Sequence, residues 1–547
     1  MSVLPIRAAC LLTAACMAVG CAGPLPGGRA EVERLQTAAE RSGDAATTSY
    51  ADVVAFVDAA VQASLGAPTP LRSTTFGTTV EGRTLPLVVW GAPDVTPAAI
   101  RATGKTRVLV FANIHAGEVA GKEAALEFIR ELARGRHAEW ADSLVLLVAP
   151  IYNADGNERI AAGNRPLQLG PDAGMGQRPN AQGLDLNRDF TKLVSPEARA
   201  LVGLIRDVDP HVVVDLHTTD GTAMGYHLTY APPLSPNTPA SIDAELRERW
   251  LPAVSAAILA SDDMATWHYG NVPGAFGEPA AAPRGWYSFS PQPRFSTNYV
   301  GLRGRLGLLS EAYSYAPFGE RIRVSRRFVE EVVTQAYRHA SRVQRLAAEA
   351  DATPVSGRPI AVRGTFAADG PPHDVLLGVV DTVAHPQTGE PRLRRQDVRR
   401  VERMPAYVRF VPSETTVAPL AYVLRPSTSL DAIRDLLDAH GVQYRQEALQ
   451  GTSREQFQVD SLRIADRPFQ NVRMQEVWGR WLPVAPETGP APGLAPALIV
   501  PTDQPLGRLV VALLDPRSDD GIVAWGLLPL AEVAAGQSLP IERIPVP

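Results

Sequence analysis

Two textures of apolar residues alternate through the first two thirds of the chain. RVLVFANI (107–114) is apolar at almost every position, as a strand covered on both faces would be. KEAALEFIRELARG (122–135) instead repeats its apolar residues at three- and four-residue spacing, which predicts an amphipathic helix. SLVLLVAPIYN, PEARALVGLIRDV and HVVVDLH continue the rhythm as strand, helix and strand. That order predicts an α/β fold with a mixed, mostly parallel sheet flanked by helices. Upstream, SYADVVAFVDAAVQAS (49–64) reads as a helix with Ser49 as N-cap, and LRSTTFGTTVEGRTLPLVVWG (71–91) as a strand pair around a turn. Residues 320–350 read as one long closing helix. After DATPVSGRP (351–359), short β-like runs broken by Pro and Gly take over, with a helix at LDAIRDLLDAHG (430–441). The pattern therefore divides the chain into a domain over 49–350 and a smaller β-rich or α+β module over 351–547, to which no chemistry is assigned.

The N-terminus departs from this pattern. MSVLPIR carries one positive charge at Arg7 and precedes AACLLTAACMAV, an apolar stretch too short to span a membrane. Residues 1–21 are expected to be a signal peptide. Small residues before Cys21 resemble a lipobox, so Cys21 is the expected lipid anchor of a bacterial cell-envelope protein. Ala18 departs from the usual Leu, which leaves ordinary cleavage to a periplasmic or secreted form open. Residues 22–48 read as a flexible tether with a short helix around EVERLQTAAER. The chain has three cysteines, Cys10, Cys16 and Cys21, all in this leader. The body thus has neither disulfide nor thiol chemistry, and any metal it binds is held by His, Asp or Glu.

Composition excludes one broad class of partner. With 53 Lys and Arg against 58 Asp and Glu, the net charge is −5 and the signs are mixed. No basic patch invites nucleic acid, and contact with a membrane is expected only through the N-terminal anchor.

Chemistry gathers where the strand runs stop. His115 and Glu118 in FANIHAGEVAGKEAA follow one such run, and His217 in VVVDLHTTDG ends another. Two histidines and a carboxylate, with a further position left to water, are a ligand set for one catalytic zinc ion. Glu311 in RLGLLSEAYSY also ends an apolar run, where burial would raise its pKa toward that of a working general base. Arg178 in GQRPNAQG offers a cation for an oxyanion, with Arg165 in AAGNRPLQ competing for the task. Asn187 and Arg188 in GLDLNRDF offer an amide and a planar fork suited to a carboxylate.

Taken in order, HAGE, NADG, RPNAQGLDLNRDF, DLH and SEAYSY resemble the zinc carboxypeptidase family, over about residues 49–345. The resemblance implies His115, Glu118 and His217 as zinc ligands and Glu311 as general base. It implies Arg178 as the arginine that polarises the carbonyl, and Asn187 with Arg188 as the pair that binds the substrate's terminal carboxylate. Asp185 matches the acid that holds a zinc-bound histidine. The family's substrate-capping tyrosine has no clear counterpart, and Tyr299 is taken for it ahead of Tyr287. The implied activity is hydrolysis of C-terminal residues from peptides that carry a free C-terminal carboxylate. A murein-peptide or N-acyl amino acid amidohydrolase on the same site is the alternative within enzymes. A non-catalytic surface binding lipoprotein is the alternative outside them.

Overall fold

The computed structural model describes residues 35–274, 282–447, 452–484, 496–531 and 533–547. The expected signal peptide, with Cys21, and the first part of the expected tether lie outside the described residues.

The continuous apolar runs become the middle of an eight-stranded sheet. Its strands are β1 (Arg72–Thr78), β2 (Thr84–Trp90), β3 (Thr106–Ala112), β4 (Leu144–Ala149), β5 (Val212–Thr219), β6 (Leu228–Ala231), β7 (Thr266–His268) and β8 (Leu306–Tyr313). Their order is β1-β2-β4-β3-β5-β8-β6-β7. β4, β3, β5 and β8 run parallel to one another, and antiparallel pairs join β2 to β4 and β8 to β6. Every residue of β3, β4 and β5 is buried, which is why their sequences show no alternation.

Helices cover the sheet. α1 (Ala38–Ser42) and α2 (Tyr50–Ala63) lie at the N-terminal end, followed by α3 (Ala120–Ala133), α4 (Pro196–Val208), α5 (Leu251–Asp262), α6 (Ser296–Leu302), α7 (Phe318–Arg338) and α8 (Ala340–Ala352). α2 and α7 pack on α3, while α6 packs on β5 and β8. Ser49 caps α2 by accepting from Asp52 N at 3.2 Å, as its sequence suggested.

Two expectations are corrected. Residues 320–350 do not form one helix: the chain leaves helical geometry at His339 (φ −119°, ψ 21°), and α8 then sets off so that the Ala340 carbonyl accepts from Thr106 Oγ1 at 3.0 Å. Neither Gly nor Pro marks this break, so the sequence carries no signal for it. Residues 35–48 are likewise not a loose tether. Arg130 grips Glu40 with two hydrogen bonds of 2.6 and 2.7 Å. The Glu123 carboxylate accepts from Thr47 Oγ1, Thr48 N and Thr48 Oγ1, each at 2.7 Å. Lys122, fully buried beside it, donates to Asn157 Oδ1 at 2.6 Å and to the Thr48 carbonyl. Two charged residues of α3 that a helical wheel would leave in solvent thus dock the N-terminal segment.

Beyond residue 350 the chain forms two antiparallel ribbons and an antiparallel sheet. One ribbon pairs β9 (Pro359–Ala367) with β12 (Arg409–Val417), the other β10 (His373–Ala384) with β11 (Pro391–Met404). The sheet has six strands: β13 (Ala421–Leu424), β14 (Arg445–Glu447), β15 (Arg454–Ile464), β16 (Gln475–Val484), β17 (Ala497–Pro501) and β18 (Ser538–Ile544). α9 (Leu430–His440), closed by Gly441 in the left-handed region (φ 78°), and α10 (Gly507–Leu514) complete it. The hydrophobic core is continuous across residue 350: Phe111, Leu147 and Phe328 belong to the same buried cluster as Tyr422, Leu509 and Ile541. Among the described residues, no helix is long and apolar enough to cross a membrane.

Candidate functional site

The carboxyl ends of β3, β5 and β8 lie side by side, and the register pairs His217 directly with Glu311. After β3, Asn113 adopts a left-handed conformation (φ 65°) and turns the chain into the loop that presents His115 and Glu118 before α3 begins. The short helix Ala154–Asn157, capped by Asn153, and the loop after it close over this turn, with Ala116 N donating to the Gln177 carbonyl at 3.1 Å. A side chain at Gly176 would meet the Gly156 carbonyl oxygen at 2.4 Å and the Ala116 carbonyl oxygen at 2.7 Å, so only glycine permits the approach.

His115, Glu118 and His217 come together, each with a donor atom within 4.8 Å of the others. His115 Nδ1 lies 3.0 Å from Glu118 Oε1, and His217 Nδ1 lies 2.8 Å from Glu118 Oε2. On the far side of each ring a carboxylate holds Nε2: Asp185 Oδ1 at 2.9 Å from His115 and Asp215 Oδ2 at 2.9 Å from His217. With a carboxylate holding each Nε2, Nδ1 is the nitrogen that each ring turns toward the shared centre. Burial works against a charge on His217, but Asp215 and Glu118 outweigh it and push its pKa well above the ordinary value. The proton kept on Nδ1 in this way is the one a metal cation displaces. Two imidazole nitrogens, a carboxylate and the second carboxylates behind them fit zinc in donor type and number.

The carboxylates around the centre divide into two kinds. Burial alone would raise the pKa of Glu118, yet His115, Arg165 and His217 hold it well below the carboxylate range. Asp185 behaves alike: burial is outweighed by His115, Arg178 and Arg188. Glu311 goes the other way. Burial raises its pKa, His217 opposes this, and the charges of Glu118 and Asp215 add to the rise. Glu311 Oε2 is buried without a hydrogen-bond partner among the described residues.

His115, Glu118, His217 and Glu311 line a cavity of about 430 Å³ that also takes in Arg165, Arg178, Asn187, Arg188, Asp220, Tyr269, Phe289 and Phe295. Arg178 makes two hydrogen bonds, 3.0 and 2.8 Å, to Asp185 Oδ2. Arg165 donates to Glu118 Oε1, so both arginines weighed as oxyanion partners reach the centre. Arg188 lies over the Phe295 ring at 4.2 Å and donates to the Asn187 carbonyl at 2.8 Å; its nearest carboxylate is Asp185, 3.8 Å away. Asn187 accepts from Ser296 N through Oδ1 at 2.9 Å and places Nδ2 3.4 Å from His217 Nε2.

Tyr299 is a correction. It is fully buried in α6, packs against Phe190 and hydrogen-bonds His440 Nδ1 at 2.9 Å, away from the cavity. Thr297 of the same helix lines the cavity, but Tyr299 does not. Tyr287 stacks on Tyr407 at 4.3 Å and does not line the cavity either. The tyrosine that does is Tyr269, one residue past β7 and bonded to the Thr219 side chain. Its place just after a strand was a usable signal. Asp215 was also missed, although strand alternation puts it on the same face of β5 as His217.

The family model for zinc carboxypeptidase matches residues 60–289, and the resemblance read from the motifs is thereby shown over that stretch. The stretch contains His115, Glu118, Arg178, Asp185, Asn187, Arg188 and His217, while Glu311 lies beyond it. Carboxypeptidase D of Rattus norvegicus is 31 % identical over 170 residues, covering 26 % of this chain and 12 % of that protein. Carboxypeptidase 2 of Trichophyton rubrum is 29 % identical over 150 residues, covering 26 % of this chain and 24 % of that protein. The chain thus spans a quarter or less of the length of these curated relatives. Among solved structures, a metallo-carboxypeptidase from Burkholderia cenocepacia aligns with 52 % of this chain and 67 % of its own, at 19 % identity and a TM-score of 0.37.

Proposed function

We propose that this protein is a zinc-dependent metallocarboxypeptidase that removes C-terminal residues from peptides. The observation that carries the reading is the unpartnered Glu311 Oε2 in a cavity shared with the His115, Glu118 and His217 cluster and with Arg188. His115, Glu118 and His217 would hold one zinc ion. Bound there, zinc supplies a Lewis acid that polarises a carbonyl and acidifies a water molecule.

The chain's own groups divide the remaining work. Arg188 and Asn187 bind the substrate's terminal carboxylate, with Phe295 fixing the plane of the guanidinium fork. That contact selects a free C-terminus and sets the scissile bond against Glu311. Glu311, its pKa raised by burial, takes a proton from the attacking water and gives it to the departing amine. Arg178 faces the carbonyl oxygen as negative charge builds on it. Asp185 and Asp215 keep His115 and His217 oriented throughout.

The N-terminal leader supports export, with anchoring through a lipidated Cys21. The change of texture near residue 351 supports a catalytic domain over 49–350 and an accessory module over 351–547.

The test is incubation of the purified protein with a mixture of short linear peptides, with and without a zinc chelator, followed by mass spectrometry. Stepwise loss of single C-terminal residues that stops with chelator is expected. Peptides that stay intact with zinc in excess would sink the reading.

A further inference from the structure

The C-terminal module reaches the candidate site at two separate points. At the rim of the cavity, β11 donates from Leu393 N to the carbonyl of Leu167, a cavity residue, at 3.0 Å. Deeper in, the loop carrying the two residues between Asp185 and Arg188 is met by a tight turn from 285 residues further along the chain. Phe469 and Val472 exchange both backbone hydrogen bonds, at 2.8 and 3.0 Å, and close a two-residue hairpin turn over Gln470 and Asn471. From that turn Gln470 Oε1 accepts the backbone N–H of Asp185 at 2.8 Å.

The turn is built in an uncommon way. Gln470 and Asn471 both lie in the left-handed region, at φ 51° and 63°. Asn tolerates that conformation and Gly prefers it, whereas Gln is disfavoured there. A residue held in a disfavoured backbone state at a site is evidence that its side chain is needed. The turn is braced as well. Phe469 stacks on Trp525 at 6.1 Å, and the Arg294 guanidinium lies over both rings, at 5.5 and 4.8 Å. Arg294 N and Trp525 Nε1 both donate to the buried Asp520 carboxylate. The next residue after Arg294 is Phe295, the platform beneath Arg188.

We propose that the C-terminal module completes the candidate site and that Gln470 is a positioning residue, fixing Asp185 and through it His115 and Arg178. Asp185 carries three duties at once: Oδ1 orients His115, Oδ2 holds Arg178, and the backbone N–H is tied by Gln470. Without the Gln470 acceptor that N–H loses its partner, and the hinge of the carboxylate is free to shift. The inference rests on the carboxypeptidase reading of the same site only for its kinetic consequence, because the effect on zinc is read separately.

Zinc affinity is measured on the full chain by equilibrium competition with a chromophoric chelator, for wild type, Gln470→Met, Gln470→Glu and Gln470→Gly. Groups that orient a ligand are worth about 10- to 100-fold in metal affinity. Gln470 acts one residue further out, so the Met variant should lose about three- to tenfold. Gln470→Glu keeps an oxygen acceptor at the same reach and should stay within about twofold of wild type. Gln470→Gly relieves the left-handed backbone and deletes the acceptor. It should melt no lower than wild type and still lose zinc affinity as the Met variant does. Wild-type affinity in the Met or Gly variant, or an equal loss in the Met and Glu variants, would overturn the proposal. Peptide hydrolysis is followed in parallel: a wild type that binds zinc but cleaves no peptide would remove the carboxypeptidase reading and leave the zinc comparison standing.

Discussion

Glu311 and Glu118 are both buried carboxylates, yet their surroundings assign them opposite tasks. Glu118 is ringed by His115, His217 and Arg165 and is kept ionised, as its proposed role of zinc ligand requires. Glu311 meets low-dielectric walls and two carboxylates, so it is poised to accept a proton. Replacing Glu311 with Gln keeps the shape and removes the base. Turnover should fall by about 10²- to 10⁴-fold, while bound zinc, measured by metal analysis, stays at one ion per chain. Arg188 is set up for a different loss. Among the described residues its fork has no carboxylate closer than 3.8 Å, which suits the proposed pairing with one from the substrate. Arg188→Ala should cost about 1.5–3 kcal/mol of binding, or roughly 10- to 100-fold in KM, for peptides with a free C-terminus. Peptides with an amidated C-terminus should respond far less. Equal losses on both substrates would remove Arg188 from carboxylate recognition.

At the scale of elements, the site depends on how closely α3 lies on β5. Gly121, in the first turn of α3, has no room for a side chain: a Cβ there would stand 2.6 Å from Leu216 Cβ and 3.1 Å from the Leu216 carbonyl oxygen. Leu216 adjoins His217, so a push on α3 is delivered to a proposed zinc ligand. Gly121→Ala should therefore lower stability by about 1–3 kcal/mol in urea unfolding and weaken zinc binding with it. Wild-type zinc affinity in a destabilised variant would separate the packing from the site. The same elements show what a sequence conveys. β3, β4 and β5 were legible because burial on both faces leaves unbroken apolar runs, and His115, His217 and Glu311 were legible because they interrupt those runs. Lys122 and Glu123 were not, since the partners that justify burying them come from residues 47–48 and 157. The bend at His339 has no Gly or Pro to announce it. Tyr299 misled because a tyrosine in a short polar-looking segment, STNYVGL, gives no hint that α6 is wholly buried. Gln470 lies beyond any local pattern, because its meaning is a single hydrogen bond to a residue 285 positions away.

At the scale of the molecule, the seam between the sheet and the C-terminal module is held by a group that must stay neutral. His440, at the end of α9, is fully buried against Tyr299 and Thr191. Nε2–H donates to the Thr191 carbonyl at 3.1 Å, Nδ1 accepts from Tyr299 Oη–H at 2.9 Å, and Arg303 donates to the same Tyr299 oxygen at 3.3 Å. The neutral tautomer satisfies this chain, and a proton on Nδ1 would break it. Burial, aided by Arg303 and opposed by the Thr191 carbonyl, pushes the His440 pKa down to about 3 from its ordinary value of 6.5. His211, His227 and His268 are lowered to about 3 as well, chiefly by burial. The sign follows from which state takes up protons. Above pH 6.5 neither folded nor unfolded His440 is charged, and it adds no pH dependence. Between 6.5 and about 3 the unfolded chain binds a proton that the folded chain refuses, so stability falls as pH falls. Each such group contributes a slope of about 1.4 kcal/mol per pH unit in that window. His440→Gln keeps a donor and an acceptor and removes the titration. Between pH 7 and pH 5, its unfolding free energy should decline by roughly 2 kcal/mol less than that of wild type. Urea titrations of the two proteins at matched zinc concentration measure that difference directly, since changes at the zinc ligands are common to both. Parallel declines would mean that His440 is charged in the folded protein, and that the seam is held by an imidazolium instead of the neutral ring.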